Sequence, residues 1–96
     1  MIELRQTQTF SRWYAALRGE EALARIRTRL RRLELGSPGD LKPVGEGVSE
    51  MRIDFGPGYR IHWVRKGAEI VLLLCGGDKS TQEADIAKAK RLARED

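Results

Sequence analysis

Apolar and charged residues alternate from Glu50 to Phe55, with Met51, Ile53 and Phe55 on one side and Glu50, Arg52 and Asp54 on the other. A period of two marks a strand buried on one face. Beyond the turn Gly56-Pro57-Gly58 the rhythm repeats, with Tyr59, Ile61 and Trp63 on one side and Arg60 and His62 on the other. Lys66-Gly67 marks a second turn. The next run, Ile70 to Cys75, is apolar on both sides, which predicts a central strand covered from both faces. Gly76-Gly77-Asp78 is expected to end it, and Ser80-Thr81-Gln82-Glu83 has the form of a capping box opening a helix over Ser80 to Arg94. That helix has only a thin apolar side, made of Ile86, Ala89, Leu92 and Ala93, so part of the strand's outer face is left for a partner to cover.

Upstream the period lengthens. Ile2 to Thr7 alternates weakly and predicts a short first strand, with Thr7 or Thr9 able to cap the next helix. In that helix Phe10, Trp13, Tyr14 and Leu17 fall at the i, i+3, i+4, i+7 spacing of one apolar stripe. Gly19 closes it, and Glu20-Glu21 opens a second where negative charge suits the positive end of the dipole. Leu23, Ile26, Leu30 and Leu33 form its buried side, and Gly36 with Ser37-Pro38-Gly39 stops it. Asp40 to Gly47, with one proline and two glycines, reads as a surface loop. The expected order is β-α-α-β-β-β-α. It describes one α+β domain over residues 1–96, with a mostly antiparallel four-stranded sheet and a helical hairpin on its Met51/Ile53/Phe55 face.

Ninety-six residues suffice for one hydrophobic core. No apolar run approaches the ~20 residues of a membrane span, and none follows the N-terminal charges as a secretory signal would. The expectation is a cytoplasmic chain with no membrane partner. A single cysteine and a single histidine exclude an internal disulfide and a zinc set, so no metal and no cofactor are expected. Cys75, inside the most apolar strand, reads as a buried inert thiol rather than a nucleophile. Trp13 and Trp63 read as core, and Gly76-Gly77 lacks the spacing of a phosphate-binding P-loop.

The net charge of +4 is uneven: residues 1–36 hold eight Lys/Arg against four Asp/Glu, and the remainder ten of each. Arg25, Arg29 and Arg32 form a row on the second helix with Arg27 and Arg31 beside it, which suits an acidic or polyanionic partner or, equally, a solvated helix face. Arg52 and Arg60 could likewise pair with Glu50 and Asp54 across adjacent strands.

The order of elements, the run Gly58-Tyr59-Arg60-Ile61, the upstream Glu50-Met51-Arg52-Ile53 and the segment Leu72 to Ser80 (LLLCGGDKS) together resemble the RelE/ParE toxin superfamily, and within it the phage-derived, HigB-like branch of addiction-module killer proteins. The resemblance covers nearly the whole chain and implies the toxin half of a type II toxin–antitoxin pair. It implies a metal-independent endoribonuclease cutting mRNA on the ribosome, with Arg60, Lys79, Arg52 and Glu50 as catalytic residues and Arg60, Lys79 and His62 as substrate contacts. Its implied partners are mRNA on the ribosome and a cognate antitoxin of helix-turn-helix type. Operator DNA would be reached only through that antitoxin, whose acidic residues would meet Arg25, Arg29 and Arg32. The stretch Gln82-Glu83-Ala84-Asp85-Ile86 holds no Tyr or His where such toxins place one. That leaves the general acid unassigned and keeps open a ParE-like gyrase poison, or a degenerate toxin acting as co-repressor.

Overall fold

The computed structural model describes residues 1–95. The chain forms β1 (Glu3–Gln6), α1 (Gln8–Ala16), α2 (Glu20–Glu34), β2 (Leu41–Gly45), β3 (Val48–Ile53), β4 (Tyr59–Lys66), β5 (Ile70–Asp78), a 3-10 turn (Lys79–Thr81) and α3 (Gln82–Glu95). The five strands make one mixed sheet in the order β1-β5-β4-β3-β2. β1 runs parallel to β5, and every other pairing is antiparallel.

The α+β class and the order of helices stand, but the four-strand expectation is corrected to five. The stretch read as a loop contains β2, which pairs with β3 from Leu41↔Met51 to Gly45↔Val48 through an irregularity between Pro43 and Gly45. β2 is an edge strand, exposed along most of its length, so its own pattern shows no buried side. Pro43 is tolerated because an edge strand has a free hydrogen-bonding flank.

Two cores sandwich the sheet. On one face Phe10, Ile26 and Leu33 from the helices close over Met51, Ile53, Ile61, Trp63, Val71 and Leu73, with Trp13, Tyr14, Leu17, Leu30 and Phe55 at the margin. The two N-terminal helices therefore lie on the expected face. They rest on the sheet more than on each other, α1 chiefly across β5 and α2 over β3, so the paired-hairpin picture holds only in part. Thr7 caps α1, its hydroxyl accepting from the Phe10 N–H at 3.0 Å.

On the other face α3 crosses β5, β4 and β3, and Ala89, Leu92 and Ala93 pack on Val48, Leu72, Leu74 and Cys75. The outer face of the central strand is thus covered from within the chain. The expectation that a partner must complete this cover rested on the thin apolar side of α3, and it is corrected: small residues on α3 let the helix approach the sheet closely. A register shift opposite His62/Trp63 turns both Leu74 and Cys75 toward α3, as a β-bulge does. β5 continues through Gly76-Gly77 rather than ending there. The capping box also moves, because Asp78 rather than Ser80 is the cap, accepting from the Ser80 N–H at 2.8 Å.

Candidate functional site

Glu50 lies at the centre of β3 with 0% exposure. A buried carboxylate needs partners, and two neighbouring elements supply them. From α3 the Gln82 amide donates to both carboxylate oxygens at 2.9 Å. From β4, His62 Nε2 stands 3.1 Å from Oε2 and Arg60 Nε 3.7 Å from Oε1. Burial pushes the Glu50 carboxyl up, but the Gln82 amide, His62 and Arg60 together outweigh it and hold the group below its ordinary range. An ionised Glu50 only accepts, so His62 donates through Nε2 and turns Nδ1 toward the Cys75 thiol at 3.9 Å.

Cys75, His62 and Glu50 thus stand in the sequence of nucleophile, base and orienting carboxylate. Burial prevents that chemistry. The thiol is enclosed, donates to the Asp85 carbonyl at 3.5 Å, and is pushed up to about 12 chiefly by desolvation. The reading of Cys75 as an inert core thiol stands.

Arg60 carries this buried group toward the surface. Its side chain is 12% exposed, and its Nη1 donates to the Gly58 carbonyl at 3.3 Å. Its Nε is buried and has no hydrogen-bond partner among the described residues. Arg52 stands directly opposite Arg60 in the β3/β4 register and is pinned to Asp40 at 2.8 Å. That bond lowers the Asp40 carboxyl and raises the Arg52 guanidinium. Arg52, Arg60 and Lys79, together with Asp40, Asp54 and Gly58, line one recess of about 340 Å³. Gly58, with φ of 80°, makes the tight return into β4, and a Cβ there would touch Lys79 and Arg60.

The structure therefore brings together Arg52, Arg60 and Lys79 among the anticipated site residues. It places Glu50 and His62 behind them, and both have zero exposure. Direct catalytic contact for Glu50 and substrate contact for His62 are expected from the sequence; in this structure α3 closes over the face that the alternation had turned to solvent, and neither side chain is open to the recess. Sequence reasoning assigns no site role to Asp54, Asp40 or Gln82. Asp54 lies between the two strand arginines in sequence and Asp40 lies 12 residues before Arg52, and only the fold shows that they share the recess. Among the described residues no group of three His, Cys, Asp or Glu side chains could hold a metal ion.

The arginine row divides. Arg25 pairs with Glu21 at 3.0 Å and lies over the Phe55 ring at 4.5 Å, and Arg32 is exposed. Arg29 donates to three backbone carbonyls, those of Arg52, Pro38 and Asp40, at 2.5, 2.9 and 3.1 Å. Burial lowers its pKa. Arg29 is therefore a strap tying α2 to β3 and the turn before β2. A second groove, lined by Arg25, Thr28, Arg29, Arg32, Ile53 and Asp54 among others, meets the first recess at Asp54.

Residues 16–95 match the family described as Phage derived protein Gp49-like (DUF891). A protein of Haemophilus influenzae (strain ATCC 51907 / DSM 11121 / KW20 / Rd), described only as "Uncharacterized protein", is 47% identical over 94 residues, which is 98% of this chain and 95% of that protein. Among the described residues no helix is long and apolar enough to cross a membrane.

Proposed function

We propose, from the premise that this chain belongs to the Gp49-like family of phage-derived proteins, that it is the toxin of a type II toxin–antitoxin pair and acts as a metal-independent endoribonuclease on mRNA at the ribosome. The observation that carries this reading is the recess in which Arg52, Arg60 and Lys79 converge, with Arg60 backed by a buried carboxylate.

In this reading the lining of the recess supplies the groups that RNA cleavage requires. The 2′-hydroxyl attacks the adjacent phosphorus, a 2′,3′-cyclic phosphate forms, and the P–O5′ bond breaks. Arg60 and Arg52 suit the doubly charged phosphorane, since guanidinium N–H groups give charge-assisted bonds to its oxygens. Asp54 is the carboxylate in the recess that makes no ion pair among the described residues, and we assign it the 2′-hydroxyl proton. Lys79, exposed on the 3-10 turn, supplies a proton to the leaving 5′-oxygen. This arrangement answers the missing Tyr or His of α3 with an ammonium. The antitoxin is proposed to set an acidic segment against Arg25 and Arg32 at the second groove, with Arg29 held back for the fold.

The test is induced expression of the chain followed by mapping of RNA 5′ ends in the cell. The expected result is growth arrest with new ends inside coding regions, both lost in Arg60→Ala, whose fold by circular dichroism is unchanged. Removing a group that stabilises charge in the transition state costs about 10²–10³ in rate. Arrest without new ends would favour the second reading, a gyrase-type poison that binds through this face. One observation supports that reading, namely that no Tyr or His among the described residues lines the recess.

A further inference from the structure

Arg60 is held in an unusual way. Its Nε is buried, 3.7 Å from the nearest Glu50 oxygen, and without a hydrogen-bond partner among the described residues. Nη1 reaches the Gly58 carbonyl at 3.3 Å. The guanidinium is therefore restrained by the charge behind it more than by bonds of its own. That restraint is only as good as the placement of Glu50, which cannot be fixed by solvent because none reaches it.

Two side chains fix it. Gln82, in the first turn of α3, spans from the helix to β3 and donates to both oxygens at 2.9 Å. His62, two residues beyond Arg60 on the same strand, meets Oε2 at 3.1 Å. Other charged or titratable groups on the elements packed around Glu50 are Arg52 on its own strand, Lys42 opposite it on β2, Cys75 behind His62 on β5, and Asp85 on α3, whose backbone carbonyl meets the Cys75 thiol. The hydrogen bonds to the carboxylate come from Gln82 and His62 rather than from these. A carboxylate needed only for packing could have been an apolar side chain at lower cost, since buried charge pairs seldom outperform a hydrophobic replacement.

We propose that Gln82 and His62 are positioning residues, which clamp the buried Glu50 carboxylate so that Arg60 presents its outer N–H edge to a phosphate in the recess. This rests on the reading of the recess as a phosphate site. Gln82 is the informative member, because it sits on a different element from Arg60 and is not among the residues that line the recess. On this account the start of α3 is wired to the site through one amide.

The experiment uses the whole chain, labelled with nitrogen-15, and follows hydrogen exchange at Arg60 Nε while a 2′-O-methyl oligoribonucleotide, which cannot be cleaved, is titrated in. In Gln82→Met, which keeps length but removes the donor, exchange at Arg60 Nε accelerates and oligonucleotide affinity falls about 10-fold, as expected when a hydrogen bond to a charged group is lost. Gln82→Lys, which restores a donor, recovers most of both. Glu50→Gln, which keeps shape and removes charge, behaves like Gln82→Met. A purely structural role predicts a lower melting temperature with exchange at Arg60 and affinity both unmoved, and that outcome overturns the proposal. If the wild-type chain fails to bind the oligonucleotide while Gln82→Met still accelerates exchange at Arg60, the phosphate reading falls and the clamp stands.

Discussion

Arg52 and Arg60 face one another as direct partners across β3 and β4, two like charges where cross-strand pairing normally disfavours them. Each is answered by a different carboxylate. Asp40, brought in from the turn before β2, binds Arg52 at the surface, while Glu50, in the interior, backs Arg60. The pair is therefore stable without either guanidinium being fully consumed, and among the described residues Asp54 beside them is left without an ion pair.

Asp54→Asn should reduce RNA cleavage by about 10²–10⁴, the usual contribution of a positioned base, while leaving affinity for a 2′-O-methyl oligonucleotide unchanged. Lys79→Ala should slow cleavage of ordinary RNA but not of a substrate with a 5′-bridging sulfur, whose leaving group needs no proton. Undiminished cleavage by Asp54→Asn would falsify the base assignment.

Gly76 and Gly77 are sites of close approach. A Cβ on Gly76 would overlap the Trp13 ring, and one on Gly77 would overlap the Asp85 carboxylate. Alanine at Gly76 forces α1 away from β5 and should destabilise the chain by about 3 kcal/mol, at the upper end of overpacking costs. Denaturant unfolding measures this, and a loss below about 1 kcal/mol would mean the indole can shift freely.

The strands β3 and β4 are legible in the sequence because each has one charged and one apolar side, and β5 because both its sides are apolar. The site is only half legible for the same reason. Alternation places Glu50 and His62 on the correct face, yet it cannot show that α3 covers them, because the helix residue that reaches Glu50 is the polar Gln82 and the helix's buried carboxylate is Asp85. Asp85 is held by the Thr81 hydroxyl at 2.6 Å, a pairing of position with position that no hydropathy pattern contains. β2 escapes notice because an edge strand is specified by its neighbour's register. Helical spacing groups Arg29 with Arg25 and Arg32, though its length and the turn at Pro38 draw it into the structure.

Stability should fall in acid. Glu50, Asp40 and Asp78 all have carboxyl pKa values lowered in the folded state, from ordinary values of 4.5 for the glutamate and 3.8 for the aspartates. Such groups contribute stability that is complete above the unfolded value and disappears as pH falls through the folded one. Denaturation midpoints should hold steady from neutrality to just above the 4.5 of an unperturbed glutamate and decline below it. Glu50→Gln should flatten that decline, and an equally steep acid limb in this variant would show that Glu50 contributes nothing to it.

Cys75 should resist iodoacetamide in the folded chain and react at an ordinary rate once denatured. Its thiol is raised from 9.0 to about 12, so the native state keeps a proton that the unfolded chain releases. Stability should therefore decline as pH rises above 9.0. Rapid alkylation at neutral pH without unfolding would contradict the enclosure of this thiol.

β1 lies beside β5, and the Thr7 hydroxyl donates to the Leu74 carbonyl at 2.6 Å across 67 positions of sequence. β1 thus waits for β5 to be synthesised before it has this neighbour to pair with, and contacts so distant in sequence form slowly. The recess likewise draws Arg52 and Arg60 from the middle of the chain and Lys79 from near its end. A nascent chain therefore has neither a closed sheet nor an assembled cationic cluster. If the protein attacks translation, the ribosome making it is spared until β5 and Lys79 have been synthesised.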